Sequence, residues 1–138
     1  MKNYRVLEHT ADIGIMVEGK DLKSLFKNAG MALFQISSEK IKSSKEPLHK
    51  MVVNLRSDNV EDLFVNWLNE LLSLSAVEGM IFEDYQIDAI DDTHIEAVAF
   101  GGEIQNYKVN TEIKAATYHQ LSVKNTGKGW CAEVIFDV

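Results

Sequence analysis

The spacing of apolar and polar residues changes period along this chain, and each change marks an element. Tyr4 to Thr10 alternates in the manner of a strand, and Ile13 to Glu18 reads as a second, short one. Leu22, Leu25, Phe26, Ala29, Ala32, Leu33 and Ile36 then recur at i, i+3, i+4 and i+7, which predicts an amphipathic helix with Asp21 as its N-cap. Ser37 to Glu46 is polar and precedes Pro47, the only proline, so the longest loop is expected there. Met51 to Leu55 predicts another strand. Asp58-Asn-Val-Glu61 resembles a capping box with the acid Asp58 as cap, and Val60, Leu63, Phe64, Trp67, Leu68, Leu71 and Leu72 form the apolar face of a second helix that Gly79 should stop. Strands are expected at Phe82 to Ile90, Ile95 to Phe100, Ile113 to Val123 and Trp130 to Val138, with turns at Gly101-Gly102 and Asn125 to Gly129. This order predicts an α+β fold: one domain over residues 1–138, with two helices on one face of a largely antiparallel sheet.

Composition narrows the class. The chain has 138 residues, 46% hydrophobic and 25% charged, which suits one soluble globular domain with a real core. A single Cys excludes an internal disulfide and points to a reducing, cytoplasmic setting. No run of about 18 apolar residues predicts a membrane span, and Met1 to Gly19 lacks the apolar stretch of a signal peptide. Lys and Arg number 14 against 21 Asp and Glu, a net charge of −7, which argues against strong direct binding of nucleic acid.

Common catalytic signatures are missing. There is no GxGxxG, GxxxxGK[ST] or HExxH, and Gly127-Lys128-Gly129 has hairpin spacing rather than that of a phosphate loop. Asp88, Asp91 and Asp92 do not match a calcium-binding EF-hand loop and read as a solvated strand end. Lys114 is followed by Ala-Ala-Thr, so no KxDG nucleotidyltransferase signature exists. An enzyme is not expected.

Three clusters remain. His9-Thr-Ala-Asp12 lies between two short strands, where it either satisfies turn amides or forms part of a site. In Lys114-Ala-Ala-Thr-Tyr-His119, period-two geometry places Lys114 and His119 on opposite faces unless a bulge intervenes; otherwise they are a surface charge and an edge residue. At the terminus, Trp130, Ala132, Val134, Phe136 and Val138 alternate on one face, predicting a strand packed to its last residue. Asp137 and the Val138 carboxylate would then stand side by side and repel each other without a cation or basic partner. A hard cation such as Ca²⁺ suits such oxygens. Spacing alone does not place Asp12 beside them.

Together, His9-Thr-Ala-Asp12, Ile113-Lys-Ala-Ala-Thr-Tyr-His119 and Val134-Ile-Phe-Asp-Val138, with Asp62-Leu-Phe-Val-Asn-Trp-Leu-Asn-Glu70 in the second helix, resemble the archease family over the whole chain. The resemblance implies a non-catalytic protein cofactor of the RtcB-type tRNA-splicing RNA ligase, which joins RNA ends with GTP and Mn²⁺ through a guanylylated His. It implies help with guanylylation and multiple turnover. It also implies a divalent cation, usually Ca²⁺, on Asp12, Asp137 and the Val138 carboxylate, with Lys114 in ligase activation and His9 and His119 in support or partner contact. tRNA would be met only through the ligase. Two other functions stay open: a chaperone-like modulator of an RNA methyltransferase, and a small metal-dependent hydrolase built on His9, Asp12 and His119.

Overall fold

A computed structural model describes residues 3–7 and 12–138; the expectations for His9, Thr10 and Ala11 lie outside the described residues. The chain runs β1 (Tyr4–Leu7), β2 (Asp12–Gly19), α1 (Leu22–Ser37), β3 (Ser38–Lys40), β4 (His49–Arg56), α2 (Val60–Glu78), β5 (Met80–Ile90), β6 (His94–Glu103), a 3-10 turn (Ile104–Asn106), β7 (Tyr107–Val109), β8 (Ala115–Asn125) and β9 (Trp130–Asp137). Every strand pairing is antiparallel, and the fold class expected from the sequence holds.

The arrangement of sheets differs from the expectation in one respect. The strands form three sheets, in orders β1-β2-β9-β8, β4-β6-β5 and β3-β7, and α1 packs against strands of both larger ones. Buried α1 positions therefore spread well beyond a single stripe: Leu25, Ala29 and Ala32 are joined by Phe26, Gly30, Leu33, Phe34 and Ser37. A helix between two sheets needs such a wide apolar face. Trp67 of α2 is fully buried, yet its indole N–H donates to the Phe26 carbonyl at 2.9 Å, which ties the two helices together. Tyr85 of β5 likewise donates to the Gly30 carbonyl at 2.9 Å, and a Cβ at Gly30 would sit 2.8 Å from its ring.

Helix ends follow the expected chemistry with one shift. Asp21 caps α1 by accepting from Ser24 N–H at 2.8 Å. The cap of α2 is Asn59, not Asp58: its side chain accepts from Asp62 N–H at 2.8 Å. An amide oxygen serves as well as a carboxylate here, and Glu61 and Asp62 add negative charge to the first turn. Gly79 ends α2 in the left-handed region at φ 65°. Gly101-Gly102 is not a turn; both residues lie inside β6. Close approach explains them, since a Cβ would meet the Ile81 carbonyl at 2.9 Å or the Tyr107 hydroxyl at 2.6 Å. The polar stretch after α1 contains the short strand β3, which pairs with β7. Among the described residues, no helix is long and apolar enough to cross a membrane.

Candidate functional site

Three strands bring the expected site residues to one end of the four-stranded sheet. β2 begins at Asp12, β9 ends at Asp137, and these two residues are direct partners across the ladder. Directly opposed residues project from the same face of a sheet, so two carboxylates stand together there. The register follows from burial on the other face, where Ile13 faces Phe136, Ile15 faces Val134 and Val17 faces Ala132. A slip of one residue would turn that apolar set outward.

β8 completes the row, with Ala115 partnering Asp137. Lys114 lies just before this strand, and its N–H donates to the Asp137 carbonyl at 2.8 Å. Its side chain is exposed. The pairing holds Asp12, Asp137 and Lys114 at the same level of the sheet. One Asp12 carboxylate oxygen is shielded from solvent, and Ile135, on the same face as Asp137, is 1% exposed. Asp137 itself is exposed, so only the shielded Asp12 oxygen would attract a cation more strongly than in open water.

Val138 departs from the expectation. β9 stops at Asp137, and Val138 is 41% exposed, so the strand is not packed to its last residue.

A bulge decides the position of His119. Thr117 pairs with Ile135 and Ser122 with Glu133, so four residues of β8 oppose the single Val134. Within this bulge Gln120 adopts φ 53°, and Tyr118, His119 and Gln120 are exposed. The period-two separation of Lys114 from His119 therefore does not extend through this segment. His119 has no register partner on β9; its N–H donates to Thr117 Oγ1 at 3.3 Å. The pKa of the Tyr118 hydroxyl is raised by desolvation and by the nearby Asp62 carboxylate in the first turn of α2.

One positioning residue escaped the sequence argument. Asn69 of α2 accepts from the Ala116 N–H at 2.7 Å and donates to the Ala116 carbonyl at 3.2 Å. β8 is an edge strand. The Asn69 amide supplies the pair of bonds that a neighbouring strand would make. In the sequence Asn69 stands out only as a polar residue next to the apolar positions Leu68, Leu71 and Leu72, within the stretch that carries the family resemblance.

Asp91 is structural, as expected of a strand end: its carboxylate accepts from the N–H groups of Thr93 and His94, both at 2.9 Å. Among the described residues, no three His, Cys, Asp or Glu side chains are grouped closely enough to hold a metal.

Comparison with known proteins matches residues 4–138 to the Archease protein family. The chain is 38% identical to protein archease of Methanosarcina acetivorans, covering 99% of this chain and 97% of that protein. It is 31% identical to protein archease of Pyrococcus abyssi, covering 100% of both. The solution structure of Methanobacterium thermoautotrophicum protein 1598 superimposes with a TM-score of 0.78 at 28% identity, covering 100% of both chains. An archease of Thermotoga maritima, described as a possible chaperone, shares the fold at TM-score 0.66 and 21% identity, covering 96% of this chain and 94% of that one.

Proposed function

Because the chain belongs to the archease family, we propose that it acts as a non-catalytic activator of an RtcB-type RNA ligase in tRNA splicing. It would promote ligase guanylylation and multiple turnover through an acidic, cation-bearing end. The observation that carries this is the direct cross-strand pairing of Asp12 with Asp137. Like charges opposed on one sheet face destabilise it, and a shared cation reverses the sign of that interaction.

The donors fit a hard ion. Asp12 and Asp137 offer oxygen only, which suits Ca²⁺ better than a thiolate- or imidazole-seeking metal. Two side chains are too few for a closed cage, so the Val138 carboxylate, next to Asp137, is the third protein ligand of the proposal. A bound cation would supply fixed positive charge at this end. The chain's own residues do the rest: Asp12 and Asp137 hold the ion, and the ladder fixes their separation. Lys114, tied by its backbone to Asp137, offers an exposed ammonium to anionic groups of the ligase's nucleotide pocket. His9 and His119 are proposed as partner contacts. The net charge of −7 favours encounter with a basic pocket and disfavours direct RNA binding. We place the protein in the cytoplasm, where tRNA splicing by such a ligase would occur.

The test is ligase guanylylation and multiple-turnover joining at constant Mn²⁺, with and without this protein, the protein being either Ca²⁺-loaded or stripped of metal and freed of chelator beforehand. Stimulation that falls with the metal-stripped protein and with Asp12→Ala and Asp137→Ala supports the proposal. Unchanged ligase kinetics would refute the function. Stimulation indifferent to both substitutions would refute the site. Hydrolytic turnover by the isolated protein would favour the hydrolase alternative.

A further inference from the structure

The two larger sheets have four edges, and three of them are protected. β1 is only four residues long, β8 is covered by the Asn69 amide and broken by its bulge, and β5 is interrupted by two register shifts. Short strands, bulges and covered edges are ordinary means of keeping a sheet from pairing with other chains. The fourth edge, β4, has none of them. It runs eight residues in unbroken register with β6, from His49 opposite Gly101 to Arg56 opposite His94. Among the described residues, no strand or backbone hydrogen bond joins its other side. It contains no proline, and its inward positions, Met51, Val53 and Leu55, are all apolar.

Burial along β4 shows what a further strand would gain. Val53 is 2% exposed, but Met51 and Leu55, on the same face, pack against the core and remain only partly buried. Lys50, Val52, Asn54 and Arg56 alternate with them on the outer face, and all four are exposed. A strand laid along this edge would place one set of side chains over Met51 and Leu55 and the other beside Lys50 and Arg56. β4 carries no acid, although the chain's net charge is −7. Neither Lys50 nor Arg56 has a carboxylate within ion-pair distance among the described residues. Those two cations select the occupant. A second copy of β4 would set basic residues against basic residues with no acid to offset them, whereas an acidic strand would be attracted.

We propose that the free edge of β4 docks an extended acidic segment of a partner protein, which joins the β4-β6-β5 sheet as a further strand. Main-chain hydrogen bonds hold the segment, and alternation selects it: apolar residues cover Met51 and Leu55 while acids meet Lys50 and Arg56. The docking edge and the candidate cation site lie on different sheets.

Calorimetric titration of the full chain with the peptide acetyl-Glu-Val-Glu-Val-Glu-Val-Glu-amide tests this. The peptide should bind saturably, and about tenfold more tightly than its lysine counterpart or than acetyl-Glu-Glu-Val-Val-Val-Glu-Glu-amide, which keeps the charge without the alternation. Bound peptide should slow amide hydrogen exchange within His49–Arg56 and leave the β1 and β5 edges unchanged. The double variant Lys50→Glu, Arg56→Glu alters two exposed side chains, so it should keep the melting temperature while weakening binding about tenfold. No saturable binding, equal binding of either control peptide, unaltered affinity in the double variant, or slowed exchange only outside β4 would overturn the proposal. So would a dimer of the unliganded chain, seen by sedimentation, that protects the β4 amides, because a second copy would then be the occupant.

Discussion

Asn69→Ala is the sharpest test of how α2 positions the candidate site. The Asn69 amide makes two hydrogen bonds to Ala116, at 2.7 and 3.2 Å, and Ala116 is 5% exposed. Each bond contributes about 0.5–1.5 kcal/mol net, and a buried backbone group left unsatisfied costs about 1–3 kcal/mol. Water reaching the edge of β8 would recover part of that, so a loss of about 2–3 kcal/mol is expected. Unfolding entropy near the melting point is about 2.1 cal/mol/K per residue, or about 0.3 kcal/mol/K for this chain, so the melting temperature should fall by about 7–10 °C. Asn66→Ala is the control on the same helix: Asn66 bonds only the Ser57 hydroxyl at an exposed position, and should shift stability by less than about 0.5 kcal/mol. Urea denaturation and thermal melting of both variants check this. Equal, small losses in the two would show that Asn69 does not hold β8.

Other outcomes follow from particular contacts. In chelator, Asp137→Asn should leave stability unchanged or raised, because it relieves a like-charge pair with Asp12. With Ca²⁺ at 100 times its dissociation constant, the native protein should gain about 2.7 kcal/mol that the variant lacks, as read by paired thermal melts. Lys114→Ala removes an exposed side chain and should change stability by less than about 0.5 kcal/mol while lowering ligase stimulation; retained stimulation would remove Lys114 from the activating surface. Burial and the Asp84 charge hold the Tyr85 hydroxyl well above its usual pKa near 10. The folded-state value is the raised one, so stability is intact below the unfolded value and falls as pH climbs from about 10 towards the folded one. Tyr85→Phe should flatten that alkaline loss while costing about 1 kcal/mol for the bond to the Gly30 carbonyl, as measured by urea midpoints from neutral to alkaline pH.

Long periodic elements were legible because their local signals agreed. Both helices, their apolar faces, the Asp21 cap and the Gly79 stop are written in spacing that burial then uses. β3 and β7 were not legible. Each spans three residues, too few to show a period, and each exists only because the other is beside it. Gly101-Gly102 misled because glycine marks both turns and close packing, and only tertiary contact with Ile81 and Tyr107 tells them apart. The division into two larger sheets was hidden too, since alternation shows that one face is buried but not against what. At the site, spacing marked out the clusters holding Asp12, Lys114 and Asp137 but left structural readings open for Asp12 and Lys114, and only the family resemblance joined the three. The bulge at 118–121 left no mark beyond polar residues in a strand, and it alone decides that His119 escapes the alternation.

The Asp12–Asp137 juxtaposition rests on register, and register here is pinned from the far end of the same strands. A one-residue slip between β2 and β9 is forbidden by the apolar face, but a two-residue slip would preserve inward alternation while separating the aspartates. What opposes it is the corner where Gly19 meets Trp130. There a Cβ on Gly129 would lie 2.6 Å from the Gly19 carbonyl oxygen, a backbone atom that cannot swing aside, and Gly129 adopts φ 152°. The preceding turn is closed by the Thr126 N–H donating to the Gly129 carbonyl at 2.8 Å, so the glycine cannot shift independently. Gly129→Ala combines a strained backbone with a backbone clash, for a loss of about 2–4 kcal/mol. Gly127→Ala is the comparison, because Gly127 also has a positive φ, 82°, but no atom within 4 Å of its Cβ position; strain alone should cost it about 1–2 kcal/mol. Gly129→Ala should also shrink the calcium-induced rise in melting temperature, although the substitution lies at the opposite end of the sheet from the carboxylates. A Gly129→Ala protein with the stability of Gly127→Ala and a full calcium response would show that the register is fixed elsewhere.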